Sequence, residues 1–141
     1  FVKVLLDTPL LAELFRAHAD DWVARWIDAF AEDEVYLSIL TVGEIVRTIE
    51  AEPDAERRIE LHHWVEDELL VRFHGRILPL DMEVITEWGR ISAECENKGK
   101  PIGALDGMIA ATARTRGLVL VTYNRDLFTA TGIEVSDPWQ G

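Results

Sequence analysis

The chain has 141 residues, 48% of them hydrophobic, and a formal net charge of −12 at pH 7. This length predicts a single domain, 1–141, with one core, and the hydrophobic content excludes a disordered chain. The excess of acids disfavours a protein that holds nucleic acid mainly by phosphate neutralisation, and it suits a basic partner, metal cations or simply solubility. The single cysteine, Cys95, excludes a disulfide framework. With no membrane-length apolar stretch and no secretory leader, we expect a cytoplasmic protein.

Short apolar runs alternate with helical spacings along the whole chain. Five runs predict strands, at 4–6, 35–40, 76–81, 118–122 and 132–135. Apolar residues at helical spacing predict helices around 10–15, 22–30, 45–49, 59–70, 84–91 and 107–113. Strands that alternate with helices predict an α/β fold, a three-layer sandwich in which a central parallel sheet is flanked by helices.

The first strand runs directly into a carboxylate. The run at 4–6 is continuously apolar, which is typical of a strand buried on both faces, and Asp7 and Thr8 follow it. Asp7 is therefore expected at the carboxyl end of a central strand, where open α/β sheets place their ligand crevices. The same two residues could instead cap the next helix, because Asp and Thr are both good N-cap residues.

Two predicted helix starts also carry a carboxylate. The stretch from Thr41 to Glu44 has the form of a capping box, with Thr41 as the N-cap and Glu44 closing the box. Asp106 begins a helix of small and apolar residues, a buried setting in which an acid caps, pairs or binds a cation. Each acid thus has a local structural role open to it beside a functional one.

The polar residues at these junctions are expected to converge, because parallel strands bring their carboxyl ends to one edge of the sheet. Asn124 and Asp126 follow the fourth strand and join Asp7, Glu44 and Asp106 there. Clustered carboxylates repel one another, and a divalent cation among them stabilises their charged state. Oxygen ligands without Cys or His select Mg²⁺ or Mn²⁺ over zinc. Such a site activates water beside a phosphodiester, so these residues predict metal-dependent phosphoryl hydrolysis.

Several different short motifs follow one another along the chain. They are Leu5-Leu6-Asp7-Thr8, Thr41-Val42-Gly43-Glu44, Gly75 to Asp81, Gly99-Lys100-Pro101-Ile102, Leu105-Asp106, Leu120 to Asn124, and Asp137-Pro138-Trp139. In this order and spacing the chain resembles PIN-domain ribonucleases of the VapC/FitB type, the toxin halves of type II toxin–antitoxin pairs. The resemblance extends over nearly the whole sequence.

The resemblance implies a catalytic metal site. Its residues are Asp7, Glu44 and Asp106, with Asn124 or Asp126 at the fourth position. It also implies Mg²⁺ or Mn²⁺ as the cofactor, RNA as the substrate, a homodimer, and inhibition by a cognate antitoxin whose tail covers the site. A basic antitoxin segment that brings an Arg into an acidic pocket suits the net charge of −12.

Two positions depart from the family pattern. Pro9 stands where the family usually has Asn, and Leu127 stands where it often has an acid. The alternative function is therefore a catalytically weak PIN domain that serves as an antitoxin- or nucleic-acid-binding regulatory module. Two other classes are excluded: a haloacid-dehalogenase-type phosphatase needs an Asp at the position of Pro9, and a phospho-receiver domain needs a late Lys, whereas none follows Lys100.

Overall fold

The computed structural model describes residues 2–9, 11 and 31–137. The helices expected around 10–15 and 22–30 lie, apart from residue 11, outside this part of the chain, as do Pro138 and Trp139 of the last motif. No helix within the described ranges is long and apolar enough to cross a membrane.

Five short parallel strands form the sheet, in the order β3-β2-β1-β4-β5. The strands are β1 (Val4–Leu6), β2 (Val35–Ser38), β3 (Ile77–Leu78), β4 (Val119–Val121) and β5 (Val135–Ser136). β1 lies at the centre, where Leu5 is opposite Tyr36 of β2 and Leu120 of β4. Its three residues are at most 1% exposed, which confirms the strand predicted to be buried on both faces.

Helices connect β2 to β3, β3 to β4 and β4 to β5, which makes the parallel arrangement of these strands possible. They are α1 (Ile39–Glu50), α2 (Ala55–Trp64), α3 (Leu70–Arg72), α4 (Met82–Asn97), α5 (Ala104–Arg116) and α6 (Arg125–Phe128). Single 3-10 turns precede β2 and follow α6, at Glu32–Glu34 and Thr129–Thr131. The predicted second strand was two residues too long, because α1 already begins at residue 39.

The side chains of β1 alternate between two hydrophobic clusters, one on each face of the sheet. Val4 and Leu6 pack with β2, α1 and the segment after α2, whose buried members include Leu37, Ile45, Ile49, Val65 and Leu69. Leu5 packs with α4, α5 and α6, whose buried members include Val84, Ile91, Ile109, Ala110 and Phe128. Helices thus cover both faces, and the predicted three-layer α/β sandwich is confirmed.

The helix predicted around 59–70 contains a π-helical turn. Val65–Leu69 adopts this conformation between α2 and α3, and the Leu70 N–H donates to the carbonyl of Val65. Val65 and Leu69 are buried, while the three acids between them are exposed. A spacing of four residues suits an α-helix equally well, so the hydrophobic pattern could not reveal the wider turn.

Helix α5 approaches α4 through a glycine. A Cβ atom on Gly107 would lie 3.0 Å from Cδ1 and 3.1 Å from Nε1 of Trp88, so a larger residue would force the indole or the helix to move. The Trp88 Nε1 atom is buried and has no hydrogen-bond partner among the described residues. This contact fixes the first turn of α5, which carries Asp106, against the neighbouring helix.

Candidate active site

Asp7 is a buried carboxylate with both oxygens hydrogen-bonded. The Thr122 hydroxyl donates to Oδ2 at 2.8 Å, and the Thr8 N–H donates to Oδ1 at 3.0 Å. Only 6% of the residue is exposed. The backbone of Asp7 also accepts a hydrogen bond from Leu11 N–H at 3.1 Å, so this residue starts the following helix as well. The two interpretations of Asp7, helix cap and site residue, are therefore compatible: the carbonyl caps and the side chain faces the site.

Burial raises the pKa of the Asp7 carboxyl above its ordinary value of 3.8. The hydrogen bonds from Thr122 and Thr8 act in the opposite direction, and the negative charges of Asp106 and Glu44 raise this pKa further. The structure thus brings three of the predicted acids close enough to interact. A cation among them would stabilise the ionised form that burial disfavours.

Glu44 lies inside α1 rather than at its start. The helix is capped by Ser38, whose Oγ accepts a hydrogen bond from Leu40 N–H at 3.1 Å, so the predicted capping box with Thr41 as N-cap is wrong. The Glu44 carboxylate instead accepts a hydrogen bond from the Thr8 hydroxyl at 3.0 Å. That hydroxyl also lies 3.2 Å from the hydroxyl of buried Thr41. Glu44 is therefore held beside the end of β1 by tertiary contacts.

Asp106 lies in the first turn of α5, as predicted from its position before a run of small residues. Gly103 is the N-cap and offers no side-chain cap, and the Gly107 N–H donates to the Gly103 carbonyl at 2.8 Å. Burial raises the pKa of the half-buried Asp106 carboxyl. No side-chain hydrogen bond or ion pair to Asp106 occurs within the described part of the chain, so both of its oxygens are open to a ligand.

The two remaining predicted residues follow β4 and are exposed. The Asn124 N–H donates to the Thr122 hydroxyl at 3.1 Å, while the side chain of Asn124 makes no cap hydrogen bond to α6. Asp126 lies in the first turn of α6. In sequence these two residues come two and four positions after Thr122. They therefore follow the end of β4, the strand that pairs with β1.

Three threonines orient this site, and sequence reasoning did not assign them that role. Thr122 was not predicted as a site residue, although its hydroxyl accepts from Asn124 N–H and donates to Asp7. Thr8 and Thr41 were considered only as caps, whereas Thr8 connects the two acids, since its N–H donates to Asp7 and its hydroxyl donates to Glu44 and lies beside the Thr41 hydroxyl. One sequence feature could have identified Thr122 as a site residue. It directly follows the apolar strand β4, just as Asp7 directly follows β1.

The side chains at this site are of the type that binds a hard cation, although they lie farther apart than the ligands of a bound metal do. Among the residues that the structure describes, no group of three or more His, Cys, Asp or Glu side chains is close enough to hold a metal ion. The donor set nevertheless consists of carboxylate and amide oxygens alone, which Mg²⁺ and Mn²⁺ prefer. The metal site formed by Asp7, Asp106 and Asn124 or Asp126 therefore stays a prediction.

The sequence and the fold are similar to known proteins over nearly their full length. Residues 4–133 match the model of the PIN domain. A VapC ribonuclease of Sinorhizobium fredii is 36% identical over 97% of this chain and 98% of its own length. Toxin FitB of Neisseria gonorrhoeae is 35% identical over 96% and 98% of the two chains. The crystal structure of FitAcB from Neisseria gonorrhoeae superimposes with a TM-score of 0.93 at 34% identity, over 98% of this chain and 99% of that one.

Proposed function

The chain belongs to the PIN domain family, and we propose that it is the endoribonuclease toxin of a toxin–antitoxin pair. It would hydrolyse RNA phosphodiester bonds at the acidic cluster of Asp7, Glu44 and Asp106, with bound Mg²⁺ or Mn²⁺. The observation that carries the proposal is the buried Asp7 carboxylate, on which the two other acids act electrostatically. The similarity to a VapC ribonuclease and to Toxin FitB supports the same activity.

The residues of the cluster divide into cation ligands and a proton acceptor. Asp7 and Asp106 would hold the cation, completed by Asn124 or Asp126, and the cation would activate water and stabilise charge on the phosphate. Glu44, which is held by the Thr8 hydroxyl, is placed to accept the proton of the attacking water. An ionised carboxylate offers about four lone-pair sites, and the two hydrogen bonds to Asp7 leave the others for a cation.

The proposed protein partner is an antitoxin with a basic segment. The net charge of −12 and the raised pKa values of Asp7 and Asp106 make an incoming guanidinium favourable at the cluster. Such a segment would compete with the metal for the same carboxylates. We also propose a homodimer, and sedimentation of the purified protein tests that part without reference to activity.

The decisive experiment is RNA cleavage with Mg²⁺ or Mn²⁺, in which the wild type is compared with Asp7→Asn and Asp106→Asn. We expect chelator-sensitive activity that falls by more than about 100-fold in both variants, because ligand loss exceeds the effect of losing an outer-shell partner. Asp67→Asn is the matched control, since Asp67 is exposed on the π-helical turn, remote in sequence from the cluster. Equal chelator-sensitive activity, above background, in all four proteins would show that the cluster is not the active site.

A second candidate function is a catalytically weak binding module. The observation that favours it is Leu127, an exposed apolar residue at a position where an acid would add a ligand. This function predicts that the wild type forms a stable complex with its antitoxin, while neither metal supports RNA cleavage above the level of Asp7→Asn.

A further inference from the structure

The segment that follows β4 is exposed along its whole length. Residues 123–127 are all exposed, whereas Thr122 before them and Phe128 after them are buried. This segment, which we call the β4 rim, is therefore anchored at both ends and open between them. It leaves the sheet at the carboxyl end of β4, the strand that pairs with β1 and its Asp7.

Tyr123 is the aromatic residue of this rim, and 44% of the residue is exposed. A tyrosine this exposed beside a candidate site is placed to contact a ligand, since its ring combines an apolar body with a polar end. Hydrogen bonds hold the backbone of Tyr123 in place, because the hydroxyl of the preceding Thr122 donates to Asp7 and accepts from the Asn124 N–H. The ring is thus attached to the same hydrogen-bonded unit that orients the carboxylate.

Arg125 adds a cation to the rim. It is exposed and forms no ion pair within the described part of the chain. The arginines of α4 and α5 differ, since Arg90 pairs with Glu87, Arg114 with Glu87 and Glu94, and Arg116 with Asp81. An uncompensated guanidinium two residues from Tyr123 provides a local phosphate contact in a chain that is otherwise strongly acidic.

We propose that Tyr123 stacks on a base of a single-stranded RNA substrate and that Arg125 contacts an adjoining phosphate. The inference rests on the proposed function and names the part of the surface that positions the RNA. Unpaired bases are free to stack on an aromatic ring, whereas bases within a duplex are already stacked on one another. Every base has a π-face, so this contact tolerates different sequences and depends little on phosphate neutralisation. It therefore suits a protein whose net charge repels RNA.

Steady-state cleavage of an unstructured RNA oligonucleotide tests the stacking. Tyr123→Ala should raise KM by about 5- to 150-fold with little change in kcat, the range that corresponds to one base stacked on an aromatic ring. Tyr123→Trp should restore KM, because an indole offers a larger stacking surface. Met82→Ala is the control, since this exposed apolar side chain at the start of α4 should leave both constants unchanged. Arg125→Ala should reduce the salt dependence by about 0.7 in the slope of log affinity against log salt.

Abasic nucleotides separate stacking from a structural effect of the substitution. One abasic position should cost the wild type about as much as Tyr123→Ala does, and it should cost Tyr123→Ala nothing further. An active wild type whose KM matches that of Tyr123→Ala, or losses that multiply at every position, would overturn the stacking and leave the proposed function intact. A variant that keeps its KM for RNA but escapes the antitoxin would assign the rim to the protein partner instead. An inactive wild type would overturn the proposed function itself.

Discussion

β1 and β4 are neighbours in the sheet, yet their carboxyl ends are built differently. β1 ends in Asp7, which is buried and hydrogen-bonded through both carboxylate oxygens. β4 ends in the β4 rim, where Asn124 and Asp126 are exposed and no side-chain cap orders the start of α6. The end of β1 therefore keeps a carboxylate away from water, whereas the end of β4 exposes its polar side chains to solvent.

A single hydroxyl joins these two strand ends. Thr122 donates to Asp7 and accepts from the backbone of Asn124, so the buried half and the exposed half of the site share one side chain. If the two halves act together, breaking this connection should lower the cleavage rate, although by less than the loss of a cation ligand in Asp7→Asn. The predictions below test that division in order of expected effect.

Of the changes that follow, replacement of the shared Thr122 hydroxyl should have the largest effect. Thr122→Val keeps the shape of the side chain but removes the hydrogen bonds to Asp7 and Asn124, and we expect activity to fall by about 10- to 100-fold. Thr112→Val is the matched control, because Thr112 is equally buried but its hydroxyl donates only within α5, to the Met108 carbonyl. Cleavage rates under saturating Mn²⁺ measure the difference, and equal losses in both variants would contradict a link between the halves.

The exposed half should respond to charge by a smaller amount. Asn124→Asp adds a carboxylate next to the cluster, so we expect several-fold tighter Mn²⁺ binding in calorimetric titrations. Alanine substitutions at Asn124 and Asp126 then identify the fourth ligand, since only the residue that contacts the metal should lose affinity. Unchanged binding in both alanine variants would restrict the metal site to the buried half.

The buried half should show itself in the pH dependence of stability. The folded state raises the pKa of Asp7 above 3.8, so it holds more protons than the unfolded state between the two pKa values. The contribution of Asp7 to the free energy of unfolding therefore falls as pH rises between the unfolded and the folded pKa. Above the folded pKa, the ionised Asp7 destabilises the folded state by its full amount. In a chelator at pH 7, Asp7→Asn should consequently unfold at a higher temperature than the wild type, and the difference should shrink under acid conditions.

Asp81 provides the opposite case for the same measurement. The Val84 N–H that donates to its carboxylate holds the pKa of this partly exposed N-cap below its usual value, and the Arg116 charge acts in the same direction. Its contribution is present above pH 3.8 and is lost as pH falls through the lowered pKa, so Asp81→Asn should lower the unfolding temperature at pH 7. Shifts of the same sign in both variants would contradict the assigned burial of Asp7.

The position of Asp7 was predictable because it depends on the end of a strand. A continuous apolar run predicts a central strand, and the complete burial of β1 confirms that Asp7 follows one. The start of α1 was not predictable in the same way, since Ser38 and Thr41 are both good N-caps one helical turn apart. The structure selects Ser38, and Thr41 is buried while Ile39 is left half exposed.

The connections among the acids were beyond the reach of sequence patterns. The Thr8 hydroxyl reaches Glu44 across 36 residues, and the Thr122 hydroxyl reaches Asp7 across 115. Such contacts follow from strand order and register. β4 pairs directly with β1, with Leu6 opposite Val121, and this brings Thr122 at the end of β4 next to Asp7 at the end of β1. Hydrophobic spacing indicates that elements exist, but it does not specify how two non-adjacent strand ends align.

The distance in sequence between Asp7 and Thr122 has a consequence for synthesis. β1 leaves the ribosome before its partner β4, which follows more than one hundred residues later. Until then one side of the central strand is unpaired, Asp7 has no hydrogen bond to Oδ2, and the β4 rim does not exist. The hydrogen-bonded unit of Asp7, Thr122 and Asn124 can therefore assemble only after β4 has been synthesised.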